Sequence, residues 1–196
     1  ALIFASILGF LIGYYFALYD FFFKKLFLIL INSLMGIPPV VVGLIVYFIF
    51  AAGGPLGVLQ LLYTPSAMII AQTILVVPII VSLSKDSIDS SLNYYQDYFY
   101  SINAGFVSTM KTILWEVRYK LLTNILAGLG RALSEVGAII IVGGNIDHLT
   151  RVMTTSIVLE TSRGNLAKAL GLGISLILIA LIINMVLSLI KNILID

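Results

Sequence analysis

Two opposite charges, Arg131 and Glu135, lie inside an apolar stretch of the chain. The run GLGRALSEVGA places them four residues apart, so on a helix they share one face and can form an ion pair. If this stretch crosses a bilayer, each unpaired charge costs about 2.5–3.5 kcal/mol unless it faces water. Two interpretations stay open: a buried ion pair that fixes helix register, or an arginine on an aqueous path that attracts an anion.

The one long polar interval is residues 84–120, which begins SKDSIDSSLNYYQDYFYS. It carries eight charged residues, and five aromatic residues are packed between Tyr94 and Tyr100. Buried aromatic side chains often anchor protein interfaces. We interpret the interval as a cytoplasmic loop, with one or two short helices lying across the membrane face, that receives a push from a soluble partner. Gly105 is the small residue expected at a sharp position in that loop.

Composition indicates a polytopic membrane protein, because 61% of the residues are hydrophobic and only 10% are charged. The mean hydropathy of +1.14 lies outside the usual range of soluble domains. A net charge of +2, scattered between apolar stretches, argues against nucleic-acid binding. With no cysteine and one histidine, disulfides, iron–sulfur clusters and thiolate metal sites are excluded and a histidine metal site lacks ligands.

We predict an all-α membrane protein with five spanning helices, each close to the length that crosses a bilayer. The predicted spans are residues 2–19, 27–50, 66–83, 121–142 and 169–190. We do not interpret the span 2–19 as a cleaved signal peptide, because the chain opens on Ala1 within an apolar run. A further helix before it is a possibility that this interpretation includes. Gly9 and Gly13 suggest a helix-packing face. The Pro38-Pro39 pair should kink or break the second span, and Thr64-Pro65 should cap the third.

Loop charges predict the orientation, because Lys and Arg collect on the cytoplasmic side. One side collects Lys24, Lys25, Lys85, Lys111, Arg118, Lys120 and Lys191, and the other Arg151, Arg163 and Lys168. The 84–120 loop and the C-terminus are therefore expected in the cytoplasm. The outer segment, residues 143–168, should contain a short helix within residues 150–164, capped by Thr150 and ended by Gly164. Inside the spans, Gln72 and Asn184 are expected to form hydrogen bonds between helices, and Ser134 one to its own helix.

A family resemblance rests on three runs in particular: INSLMGIPPVVVGLIVY, TPSAMIIAQTILVVPII and AGLGRALSEVGAIIIVGGNI followed by TRVMTTSIVLETSRG. Together they resemble the permeases of bacterial and archaeal tungstate importers of the ATP-binding-cassette (ABC) class, close to the molybdate and sulfate permeases. The ABC permease loop motif Glu-Ala-Ala-x3-Gly-x9-Ile-x-Leu-Pro matches at Gly105, but Phe99, Tyr100 and Ser101 stand in its first three positions.

The resemblance implies a single permease domain of the type I ABC importer fold, with a cytoplasmic coupling helix. It further implies a multi-pass protein of the plasma membrane that pairs with a second copy of itself, two ABC ATPase subunits and an extracytoplasmic binding protein. ATP and Mg²⁺ belong to the ATPase, and this chain carries no cofactor. The residues expected to contact the ATPase are Tyr94, Tyr95, Asp97, Tyr98, Phe99, Gly105 and Lys111. Arg151 and Arg163 are expected to contact the binding protein.

The residues agree with a non-catalytic subunit, because no Gly-x4-Gly-Lys-Ser/Thr phosphate-binding loop occurs. Tungstate is the expected substrate, with molybdate or sulfate as alternatives of the same class. An ion-gradient transporter is the rival class, and it would need intramembrane carboxylates, of which Glu135 is the only one. A channel is a third possibility, but no filter-like run is present.

Overall fold

The computed structural model describes the backbone of residues 1–195 and the side chains through residue 189. This part of the chain contains helices and no strands. The helices are α1 (Leu2–Leu18), α2 (Lys24–Leu34), α3 (Pro39–Phe50), α4 (Pro65–Ser101), α5 (Phe106–Ser134), α6 (Gly137–Gly143), α7 (Met153–Ser162) and α8 (Leu166–Ile195), with a 3₁₀ turn at Gly57–Leu59.

The longest helix, α4, has 37 residues and contacts most of the other helices. Thr64 caps it through a 3.5 Å bond from the Ala67 amide, with Pro65 in the first turn, so the predicted start is confirmed. Helix α1 packs along α4 through its two glycines. A Cβ on Gly9 would lie 2.6 Å from the Ile80 side chain, and one on Gly13 would lie 2.9 Å from a backbone oxygen of α4. The packing interpretation of the glycine pair is therefore confirmed.

The break expected at Pro38-Pro39 is confirmed, and it is sharper than a kink. Helix α2 ends at Leu34, α3 begins at Pro39, and their axes differ by 103°. Because Pro39 is the first residue of α3, its missing N–H leaves no helical hydrogen bond unmade. The two proline residues thus separate two helices at little energetic cost.

A second break divides the predicted span 121–142, so its expected continuity is wrong. Helix α5 ends at Ser134, α6 begins at Gly137, and the two differ by 61°. Glycines let α6 lie against α3 beside the break. A Cβ on Gly137 would lie 2.6 Å from the Val40 side chain, and a Cβ on Gly43 would lie 2.8 Å from the Cα of Ala138. The start of α6 therefore packs directly against the start of α3.

The interval 84–120 is formed by the ends of α4 and α5, so the expected short helices across the membrane face are wrong. The two helices continue as an antiparallel arm because Ile88, Ile113 and Val117 bury against each other between them. Only residues 102–105 form the turn. Asn103 takes the left-handed conformation there (φ 48°), whereas Gly105 has φ −67°. The sharp position is therefore Asn103 and not Gly105.

Among the described residues, α4 and α8 are each long and apolar enough to cross a membrane. Counting each bent pair, α2 with α3 and α5 with α6, as one span gives up to four, and α1 is a shorter apolar helix. The expected count of five is therefore not established. Helix α8 lies at the periphery against α7 and exposes an apolar surface. The side chain of Lys191 and the C-terminus at Asp196, which the orientation prediction uses, lie outside the described residues.

Candidate functional site: an ion pair at a helix break

Arg131 and Glu135 meet at the break between α5 and α6. Arg131 lies in the last turn of α5, and Glu135 is the first residue after that helix, in an extended conformation. Arg131 Nε lies 2.8 Å from Glu135 Oε1, yet the N–H is not aligned for a hydrogen bond, so the contact is an ion pair. The side chain of Glu135 is 2% exposed and that of Arg131 is 28% exposed. Glu135 Oε2 is buried and has no hydrogen-bond partner among the described residues.

The break places each charge where the helix dipoles favour it. Arg131 is the basic residue of the last turn of α5, next to that helix's negative end. Glu135 immediately precedes Val136, the N-cap of α6, and so lies near a positive helix end. In a continuous helix, neither charge would lie beside a helix end of opposite sign. The break and the ion pair therefore stabilise one another.

Side chains also bind the backbone carbonyls that the end of α5 leaves free. Gln72 Nε2 on α4 donates to the Ala132 carbonyl at 3.4 Å, and Ser134 Oγ donates to the Arg131 carbonyl at 2.8 Å. The expected roles of Gln72 and Ser134 are confirmed. Asn184, by contrast, donates to the Ala180 carbonyl of its own helix, so its expected bond between helices is wrong. One bond from α4 and one within α5 thus bind carbonyls at the end of α5 that carries Arg131.

The tip of the α4–α5 arm gathers the aromatic residues of the polar interval. Tyr94, Tyr98 and Tyr100 are 80%, 58% and 75% exposed. Tyr95 is half-buried and donates to Glu116 at 3.1 Å. Phe99 is half-buried too, and it lines a 410 Å³ cavity together with Tyr100 and Phe106. Asp97 and Lys111 are exposed, and a Cβ on Gly105 would meet no atom within 4 Å. The structure brings the expected contact residues to one arm, while their contact with a partner stays a prediction.

One exposed group on the arm was not identified from the sequence. The Arg118 guanidinium lies 4.1 Å from the centre of the Trp115 ring and 4.2 Å from that of Tyr119. Trp115 is 69% exposed. The spacing of an aromatic residue three positions before an arginine on a helix is the signal that could have indicated this stack.

On the predicted outer side, α7 contains the short helix expected within residues 150–164. The expected cap at Thr150 is wrong, because the N-cap is Val152, whose amide donates to Thr155 Oγ1 at 3.0 Å. Thr150 instead bonds the Gly143 carbonyl and the Ile146 amide of the preceding turn. Gly164 ends the segment at φ 79°, a left-handed conformation that favours glycine.

The two outer arginines differ in how firmly they are held. Arg151 lies 2.7 Å from Asp147, and its side chain is 29% exposed. Arg163 is 57% exposed and lies 3.6 Å from Glu160, too far for a hydrogen bond. Arg163 is therefore the freer cation, and contact of either arginine with a binding protein stays a prediction.

Glu160 is a buried carboxylate that sequence reasoning missed. Its side chain is 5% exposed, and Lys168 Nζ donates to Oε1 while Asn165 Nδ2 donates to Oε2, each at 2.9 Å. The hydrogen bond from Lys168 and then that from Asn165 hold the pKa of this carboxyl below its ordinary value of 4.5. Its partners lie five and eight residues further on, across the turn into α8, a spacing that no single helix predicts.

No group of three His, Cys, Asp or Glu side chains that could hold a metal ion occurs in the described part of the chain. The candidate site therefore consists of the ion pair at the helix break, together with the exposed arm tip and the outer cations.

Comparison with known proteins finds no matching family model but finds clear relatives. The chain is 39% identical over 170 residues to the probable anion ABC transporter permease protein of Haloferax volcanii, covering 84% of this chain and 73% of the relative. It is 40% identical over 175 residues to the tungstate uptake system permease protein TupB of Peptoclostridium acidaminophilum, covering 89% and 77%. It is 36% identical over 171 residues to the protein of the same name from Campylobacter jejuni, covering 86% of this chain and 70% of the relative.

Proposed function

The chain belongs to the anion permeases of ABC transporters, and from that premise we propose that it is the membrane-spanning subunit of an importer that carries tungstate into the cytoplasm. The observation that carries the proposal is the 40% identity to a tungstate uptake permease over 89% of the chain. As a permease subunit the chain hydrolyses no ATP itself, and a partner ATPase supplies the energy from ATP and Mg²⁺. Molybdate and sulfate are the alternative substrates, since both are tetrahedral dianions.

The proposed ATPase docking surface is the tip of the α4–α5 arm. With 37 residues, α4 is about 55 Å long, so it exceeds a hydrocarbon core of about 30 Å and projects well beyond it. The projecting part carries Tyr94, Tyr98 and Tyr100, all strongly exposed. Large exposed apolar side chains at the end of a rigid arm are suited to insertion into a groove on a partner.

We place this arm and the C-terminus in the cytoplasm, and α7 on the outer side facing a binding protein. The excess of Lys and Arg in and near the arm supports this orientation. A second copy of the chain completes the membrane path, and the apolar surface of α8 faces the copy or the lipid. Arg131 and Glu135 lie on the path side of the break, because a charge that faces lipid would be costly.

The experiment is reconstitution of the permease with its ATPase and binding protein in vesicles, followed by uptake of labelled tungstate. We expect the uptake to require ATP. Unlabelled tungstate should suppress the uptake of labelled tungstate at a lower concentration than unlabelled molybdate or sulfate does. Uptake driven by an ion gradient without ATP would contradict the proposal and favour the rival class. Preferential suppression by molybdate or sulfate would assign the substrate to that anion instead.

A variant pair tests the docking surface. Gly105→Trp should keep the fold, because a side chain there meets open space in the free chain, yet it should block a partner at the arm tip. Gly53→Trp is the matched control, since Gly53 also has no neighbour within 4 Å but lies in the loop after α3, at the other end of α4. We expect ATP-driven uptake to fall at least about tenfold for Gly105→Trp only, the loss typical of an interface residue. Equal uptake by both variants would contradict docking at this tip.

A further inference from the structure

We propose that Glu135 is an internal counter-anion that competes with the transported oxyanion for Arg131. The proposal rests on the proposed function and adds to it a mechanism by which a dianion is held and then released. Glu135 and the substrate would bind the Arg131 guanidinium in turn. Arg131 and Glu135 would then be neither a fixed structural ion pair nor a permanently open anion site.

The first observation is the unequal exposure of the two partners. The Arg131 side chain is 28% exposed, whereas the Glu135 side chain is 2% exposed. An anion that reaches the break from the open side therefore meets the cation before it meets the carboxylate. Arg131 and Glu135 are the only charged residues of the sequence between Lys120 and Asp147.

The second observation is that Glu135 is bound through one oxygen only. Oε1 lies 2.8 Å from Arg131 Nε without hydrogen-bond alignment, and buried Oε2 has no hydrogen-bond partner in the described structure. A buried carboxylate that serves only as a structural anchor normally has both oxygens satisfied. Moving Glu135 away from Arg131 therefore breaks one ion pair and no aligned hydrogen bond.

The third observation is that the backbone at Arg131 is held, whereas Glu135 lies where helical hydrogen bonding is interrupted. The carbonyls of Arg131 and Ala132 are bound by Ser134 and Gln72, which fix the end of α5. Glu135 has φ −77° and ψ 119°, outside both helices. Rotation about the side-chain bonds of Glu135 can move its carboxylate without unwinding α5 or α6.

Competition resolves a difficulty with a lone arginine on an anion path. A fixed, unpaired cation in a medium of low dielectric would bind a dianion too strongly to let it leave. When Glu135 returns to Arg131, it supplies the replacement charge, and the dianion is released. The transported anion thus exchanges with a tethered one at the Arg131 guanidinium, and the cation is paired with one anion or the other.

The test is direct binding of radiolabelled tungstate to the purified permease–ATPase complex, without the binding protein. We compare the wild type with Glu135→Gln, which keeps the size of the side chain and removes the competing charge. The variant should bind tungstate about tenfold more tightly or more, within the range of coupling between two ligands of one protein. Asp20→Asn, an exposed carboxylate paired with Lys24 far along the chain, is the control and should bind as the wild type does.

Transport separates competition from a general gain in affinity. Because Glu135→Gln cannot displace the dianion, its maximal uptake rate should fall while the complex stays assembled. Arg131→Gln should bind tungstate no better than background, and combining it with Glu135→Gln should not restore binding. Binding by Glu135→Gln that equals or falls below that of the wild type would overturn the proposal, as would a maximal rate that is unchanged.

An infrared measurement on the wild-type complex keeps the proposal testable even if Glu135→Gln does not assemble. Addition of tungstate should shift a carboxylate stretching band that moves to lower frequency when the glutamates of the permease are labelled with ¹³C. The band should persist in Asp20→Asn and in Glu116→Gln and Glu160→Gln, which replace the other two glutamates of the chain. No shift in a complex that transports tungstate would overturn the competition and leave Arg131 and Glu135 as a structural pair. Wild-type complexes that take up no oxyanion would instead contradict the proposed function, so the two failures are distinguishable.

Discussion

Two buried glutamates on this chain are equally hidden but differently held. Glu160 is 5% exposed and has hydrogen-bond donors on both oxygens, from Lys168 and Asn165. Glu135 is 2% exposed and has one cation on one oxygen, and its other oxygen has no partner within the part of the chain that the structure describes. A carboxylate with both oxygens satisfied stabilises one arrangement, whereas one that is half satisfied can exchange partners. Burial alone therefore does not tell an anchor from a moving part, and the partners of each oxygen do.

The largest expected effect follows from removing the single partner of Glu135. Arg131→Met leaves a buried carboxylate unpaired, and we expect a loss of about 3 kcal/mol in stability, near the low end for broken buried pairs because Arg131 is partly exposed. The unfolding temperature of the complex in detergent measures it. Arg131→Met combined with Glu135→Leu should recover most of that loss but not tungstate binding. A well-tolerated single variant would show that the pair contributes little to stability.

The Glu160 cluster should make the stability of the folded chain depend on pH. Its pKa is below 4.5 in the folded chain, so its contribution to stability is complete above 4.5 and is lost as the pH falls through the lowered folded value. Glu160→Gln should lower the unfolding temperature at pH 7 and flatten its fall as the pH drops below 4.5. A wild-type profile that stays flat over this window would contradict the anchoring role.

The two glutamates also show which contacts can be predicted from the sequence. The spacing of Arg131 and Glu135, the proline pair and the Thr64 cap are local signals, and each predicts a contact or an element boundary correctly. Glu160 was missed because its partners come from across a turn into the next helix, where spacing depends on how α7 meets α8.

The two errors in helix continuity have the same origin. The polar interval looked like a loop, but Ile88, Ile113 and Val117 pack between α4 and α5 and extend both helices. The span 121–142 looked continuous, but the contact of Gly137 with Val40 of α3 sets where α6 begins. Polarity and apolar length indicate where a chain enters a membrane, and tertiary packing decides where its helices start and stop.

A smaller effect is expected from loosening the support of Arg131. Gln72→Leu removes the 3.4 Å hydrogen bond to the Ala132 carbonyl and leaves that carbonyl without this partner, which we expect to cost about 1 kcal/mol. Because the end of α5 is then less fixed, tungstate binding by the purified complex should weaken by several-fold more than stability alone predicts. Gln72→Glu is unsuitable as a control because it adds a charge, so Thr73→Val, whose hydroxyl bonds only its own helix, serves instead. Equal tungstate binding by the Gln72→Leu and Thr73→Val variants would show that Gln72 does not support the binding site.

The smallest effect on stability should come from the outer arginine at the edge of the Glu160 cluster. Arg163 is 57% exposed and 3.6 Å from Glu160, so Arg163→Gln should not measurably change the unfolding temperature. Lys168→Gln should lower it, because it removes a 2.9 Å hydrogen bond to the same oxygen. If Arg163 is free to pair with an acidic group on the binding protein, Arg163→Gln should nevertheless reduce the ATPase stimulation that the binding protein causes. Unchanged stimulation with an unchanged unfolding temperature would leave α7 as a helix that closes the outer side without contacting the binding protein through this residue.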